Sequence, residues 1–204
     1  MRTKQLDEQS VAIGLRAKTG RAIAVVLGGK LDAPRVLKRI ELKIADPGVP
    51  ATMQPYHEVL DLPWEKAKPA ARKIASRIEK IASKELARLV KETKAAGHNV
   101  CGVGIVGAGD RNLEKIGSTH IRAHAAEGVL FREVLEVASS ANVLSNRRYN
   151  ERTLDASAEA ELKLPSAKIK AQLAEMGRLV GSPWRADEKA AATAAWLALA
   201  AFRK

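Results

Sequence analysis

Val11-Ala-Ile-Gly-Leu-Arg-Ala-Lys-Thr-Gly-Arg-Ala-Ile-Ala-Val-Val-Leu27 decides the fold. Two aliphatic runs flank Lys18-Thr19-Gly20, a composition suited to a tight turn. The stretch predicts an antiparallel hairpin at the centre of an α/β sheet. Gly14, inside the first strand, marks a place where another backbone can come close. Gly28-Gly29 ends the second strand and Asp32-Ala33-Pro34 turns the chain. Val36, Ile40, Leu42 and Ile44 then alternate as a third strand at a sheet edge, with Lys38, Arg39 and Lys43 outward.

Beyond the hairpin, Pro47, Pro50, Pro55 and Pro63 forbid a helix or central strand, so an ordered loop or lid is expected there. Tyr56, His57 and Trp64 lie in or next to it, as rings that tie a loop to the core. A long helix is expected from Lys68-Pro69 to Ala96, with Gly97 as its stop. Ile74, Ile78, Ile81, Leu86 and Leu89 form its core stripe. A second stripe runs beside it: Lys73, Arg77, Lys80, Lys84, Arg88 and Lys91. The apolar run Val100–Val106 suits a buried parallel strand. Residues 119–140 read as a helix with Ile121, Val129, Val134 and Val137 inward. Residues 142–146 read as a short fifth strand and 147–164 as irregular and partly helical. Pro165 opens a helix to about Val180, and Ser182-Pro183 precedes an Ala-rich last helix, Trp184 to Phe202.

The chain has 204 residues, 46% of them apolar, enough for one α/β domain with a sizeable core. Residues 1–10 are expected to be a flexible arm and 11–204 a single domain. Aromatic residues make up 3%, too few for base stacking along a single strand. The net charge is +12, and residues 66–94 hold ten basic side chains against Glu79, Glu85 and Glu92. Such an excess favours polyanionic partners. Its plain alternative is a solvated helix face softened by pairs such as Glu85 with Arg88. Cys101 is the only cysteine, so neither an intrachain disulfide nor a cysteine zinc site can form. Residues 1–10 are polar and charged, without the apolar core of a signal peptide, no run approaches the ~18 apolar residues of a membrane span, and a cytoplasmic location is the default expectation.

The order of elements, three antiparallel strands, a long helix, a buried strand, a helix, a strand and a closing Ala-rich helix, resembles the ribonuclease H-like superfamily, in particular its Holliday-junction resolvase branch. Ile13-Gly14-Leu15 and Thr19-Gly20 are similar to that branch's first hairpin. Arg185-Ala-Asp-Glu-Lys-Ala-Ala-Ala resembles its closing helix. The resemblance implies a three-layer α/β fold with a mixed five-stranded sheet, its first three strands antiparallel, and helices on both faces. It also implies a two-metal nuclease site, from which this sequence departs. Arg16 occupies the first-strand carboxylate position, and a cation repels Mg²⁺ instead of ligating it. The fourth strand ends without an acid, Asp110 following only in the turn. Asp187-Glu188 alone matches in place. Two-metal phosphoryl chemistry needs carboxylates clamping both ions. The expected state is a degenerate site of Arg16, Asp110, Asp187 and Glu188, with Arg16 paired to Asp187 or Glu188, and no cofactor.

Two further motifs stand out. Gly102-Val-Gly104-Ile-Val-Gly107 spells GxGxxG, but its first glycines lie within a strand and no acidic residue ends a following strand at the right distance. Close sheet–helix packing explains them equally well. His120, His124 and Glu127 share one helix face, which suits either a metal or a polar cleft cluster with Ser118 and Thr119. In such a cleft His124 is the candidate general base, with Glu127 beside it; Asp187, outside that cleft, is a further catalytic candidate.

Three functions are therefore carried forward. The first is non-catalytic binding of nucleic acid or another polyanion through Lys73, Arg77, Lys80, Lys84, Arg88 and Lys91, with Arg147, Arg148, Lys163, Lys168 and Lys170 joining if they share that face. The second is an enzyme of unknown reaction built around Ser118, His120, His124 and Glu127. The third is a structural or homodimeric protein whose contact is the last helix, through Trp196, Leu197 and Leu199.

Overall fold

In the computed structural model, which describes residues 9–203, the hairpin forms as read. β1 (Ser10–Lys18) and β2 (Arg21–Lys30) pair antiparallel, with Lys18 opposite Arg21 across the Gly20 turn. β3 (Ala33–Lys43) continues the meander at the sheet edge. β4 (Asn99–Gly107) pairs with β1 and β5 (Asn146–Asn150) with β4, both parallel. The sheet order is β3-β2-β1-β4-β5, mixed, with the first three strands antiparallel as expected. Of the expected N-terminal arm, residues 1–8 lie outside the described residues, and Ser10 already pairs with Asn99.

Among the described residues five α-helices cover the two faces: α1 (Trp64–Ala95), α2 (Thr119–Ala141), α3 (Leu154–Leu162), α4 (Ser166–Val180) and α5 (Ala186–Phe202). Strand alternation divides the core between them. Val11, Ile13 and Leu15 face α1 and α2, whereas Ala12 faces α3, α4 and α5. α5 lies so close to the sheet that a Cβ on Gly14 would overlap the Ala191 carbonyl and one on Gly104 the Ala194 carbonyl. All three glycines of the GxGxxG letters thus lie in β4, Gly107 as its last residue, and Gly104 is explained by helix packing.

Several expectations are corrected. The fifth strand is not 142–146. Asn142 caps α2, and Val143 sits in the following turn at φ 57°, 93% exposed. The strand is Asn146–Asn150, whose arginines mask an edge strand that buries only Tyr149. Ile121 and Val137 point to solvent, and Glu127, Arg132 and Ser139 are buried in their place. α1 starts at Trp64, which puts Pro69 inside the helix, beyond its first turn; Ala71, Ala75 and Ala82 complete its buried line, while Ile74 and Ile81 are only half-buried. Trp196, Leu197 and Leu199 are 0% exposed inside the sheet–helix core, so they offer no dimer contact. Among the described residues no helix is long and apolar enough to cross a membrane.

Candidate functional site

Arg16 near the carboxyl end of β1, Glu151 just after β5, and residues of α3, α4 and the first turns of α5 line a groove of about 570 Å³. Arg16, one residue from Ala17 near the end of β1 and opposite Val106 of β4, lies at its base, with its side chain 15% exposed. Its guanidinium holds two acids at once. Nε donates to Asp187 Oδ1 at 3.3 Å, and Nη2 pairs closely with Glu151. Asp187 sits in the first turn of α5, where the helix dipole favours a negative charge. Lys18 approaches it from the end of β1 at 3.3 Å. Burial pushes the Asp187 carboxyl up, but Lys18 and Arg16 more than offset this and hold it below the ordinary value of 3.8.

Glu151 was not singled out in the sequence. It directly follows β5, and its backbone N–H bonds the Gly107 carbonyl, which fixes it at the groove. The other two expected members lie elsewhere. Glu188 is buried and accepts from the Arg185 backbone N–H at 2.8 Å, as half of a capping box for α5. Asp110 takes a bond from the buried Arg132 at 2.8 Å and a weaker contact from Arg148, and those arginines keep its pKa low. Neither contacts Arg16 among the described residues. The donor set thus does not fit a pair of divalent ions: a guanidinium occupies the space between the two groove carboxylates.

The second cluster lies on the other face of the sheet, where α2 begins. His120 and His124 are brought together as their spacing predicts, with Nε2 atoms 3.1 Å apart. Ser118 does not join them: it caps α2, its Oγ accepting the Ile121 N–H. Glu127 is 2% exposed and bonds not to His124 but to the proline-rich loop. Its Oε1 accepts the backbone N–H groups of Tyr56 and His57, each at 3.2 Å, and lies 2.9 Å from His57 Nδ1. His57 is therefore a third histidine of this cluster, with ring centroids 5.0 Å from His120 and 4.4 Å from His124. Only the packing of loop on helix reveals it, since 63 residues of sequence separate His57 from His120. Tyr56 stacks on Trp64 at 5.6 Å and anchors the same loop, as expected of those rings.

The basic stripe is real. Lys73, Arg77, Lys80, Lys84, Arg88 and Lys91 are all exposed, on the side of α1 opposite its buried line. Arg77 pairs with Asp46, and Arg88 with Glu85 and Glu92. Lys73, Lys80, Lys84 and Lys91 have no ion-pair partner among the described residues. Lys168 and Lys170 lie on α4, in the opposite layer, Lys163 follows α3 in that layer, and Arg147 and Arg148 on β5 are paired with Glu161 and Asp110. They do not extend the stripe.

No protein-family model matches the chain, and no curated protein matches it. Solved structures do. RuvC of Thermus thermophilus is similar at 13% identity and a TM-score of 0.52, over 95% of this chain and 96% of that one. The T. thermophilus RuvC bound to a Holliday junction substrate is similar at 13% identity and a TM-score of 0.49, over 92% and 91%. With its β3-β2-β1-β4-β5 strand order and a helical layer on each face, the chain has the ribonuclease H-like fold.

Proposed function

We propose that this chain is a non-catalytic ribonuclease H-like protein that binds nucleic acid or a similar polyanion. The observation that carries the reading is Arg16, which sits between Glu151 and Asp187 in the groove at the end of β1. A scaffold that needs acids there for phosphodiester hydrolysis has a cation instead. The partner class follows from charge. Net +12 leaves the α1 stripe with four lysines that no acid neutralises among the described residues, and phosphate contact through such lysines releases counterions. Anisotropy of labelled duplex, four-way junction and single-stranded DNA, and of RNA, tests this over a salt series. Binding that weakens steeply with salt, without cleavage in Mg²⁺ or Mn²⁺, is expected. Metal-dependent cleavage, abolished by Asp187→Asn, would overturn it.

A second reading, an enzyme with a cleft around His120, His124 and Glu127 without Ser118, is supported by the convergence of those three with His57. It requires an activity lost in His124→Ala while DNA binding is unchanged.

A further inference from the structure

We propose that His57, His120 and His124 form a three-histidine site for a divalent transition metal, oriented by Glu127. One ring nitrogen from each histidine lies within 4.8 Å of the others. The His120–His124 separation of 3.1 Å matches the edge of a tetrahedral zinc site, about 3.3 Å for Zn–N bonds of about 2.0–2.1 Å.

The decisive atom is His57 Nε2. It is buried and has no hydrogen-bond partner among the described residues. A buried polar nitrogen without a partner is costly, so it calls for a ligand. Its tautomer is set from the other side of the ring. Glu127 Oε1 already accepts two backbone N–H groups, and as a carboxylate it can only accept. The neutral ring of His57 therefore carries its proton on Nδ1, toward Glu127, and its lone pair on Nε2. A carboxylate holding a histidine in this way is the usual outer support of a metal-binding imidazole. An edge-to-face cluster of three rings would explain the stacking but not the unpartnered nitrogen.

Three neutral imidazoles suit Zn²⁺, Co²⁺, Ni²⁺ or Cu²⁺ and not Mg²⁺. His120 and His124 are exposed, which leaves a fourth position open to water or another ligand. The site is on the opposite sheet face from the Arg16 groove and is independent of the polyanion reading.

The test is calorimetric titration of untagged, chelator-treated protein with Zn²⁺, and with Co²⁺ followed by visible absorption. One ion per chain and the intense visible bands of tetrahedral Co²⁺ are expected. His124→Ala and His120→Ala, both at exposed positions that leave the fold intact by circular dichroism, should each abolish the Co²⁺ bands. Glu127→Gln should weaken Zn²⁺ about 10- to 100-fold while keeping the stoichiometry. His98→Ala, remote from the cluster, should change nothing. Substoichiometric binding, or His124→Ala that binds like the native chain, would overturn the proposal. So would His57→Ala with undiminished affinity, since two histidines on one helix turn would then suffice.

Discussion

Arg16 concentrates the functional question in one side chain. Its guanidinium pairs with Glu151 and Asp187 together, so one cation holds both acids of the groove. Arg16→Asp would place three carboxylates around the same space. The expected outcome is a chain destabilised by like charges and rescued by Mg²⁺. Its melting temperature should rise by several degrees in millimolar Mg²⁺, while that of the native chain stays put, since each kcal/mol moves the midpoint about 2–4 °C at this size. Thermal scans with and without Mg²⁺ check this, and Glu151→Gln in the same background should cancel the rescue. Asp187 gives a second prediction. Its pKa is depressed in the fold, so its contribution is present above the ordinary 3.8 and is lost as pH falls through the folded value. Asp187→Asn should therefore be less stable than the native chain at neutral pH, by no more than about 1 kcal/mol because the carboxylate is partly exposed. Denaturant curves of the two should converge below pH 3.8.

At the scale of elements, α5 depends on the small residues beneath it. Gly14→Ala and Gly104→Ala each drive a methyl group into a backbone carbonyl of α5, which cannot swing aside as a side-chain tip can. Each should cost about 3 kcal/mol or more. Gly117→Ala, with open space around it, should be nearly neutral. Urea midpoints of the three variants check this contrast. The close approach at Gly14 was legible in the sequence, because a glycine in a central strand and an alanine-rich helix both point to it. The meander and α1 were legible from apolar alternation and helical periodicity bounded by Gly or Pro, α4 from Pro165, and α5 from Ser182-Pro183 and its alanines. β5 was not, since an edge strand reading Asn-Arg-Arg-Tyr-Asn buries a single residue and has no apolar pattern to detect. Losing β5 also hid Glu151, the residue that follows it.

Across the whole molecule, what the sequence could not show is which clusters share a face. His120 and His124 are one helical turn apart and could be read together. His57 reaches them only because the proline-rich loop packs over α2, and Asp110 is drawn away from Arg16 by Arg132. The same folding separates the positive charge into two layers. The α1 stripe faces out on one side, and from Lys73 to Lys91 it spans roughly 27 Å at the helical rise. Around the Arg16 groove, on the other side, Arg16, Arg152, Lys170 and Lys189 are interleaved with Glu151, Asp155 and Asp187, so the local field is mixed. A polyanion should therefore lie along α1. Lys80→Gln combined with Lys84→Gln should flatten the dependence of log K on log salt by about 2, since each phosphate contact contributes about 0.9. The matching pair Lys168→Gln and Lys170→Gln, on α4, should leave the slope unchanged. Anisotropy titrations of one labelled duplex over a salt series measure both. If the α4 pair flattens the slope and the α1 pair does not, the interface lies on the groove side, and the stripe is only a solvated helix face.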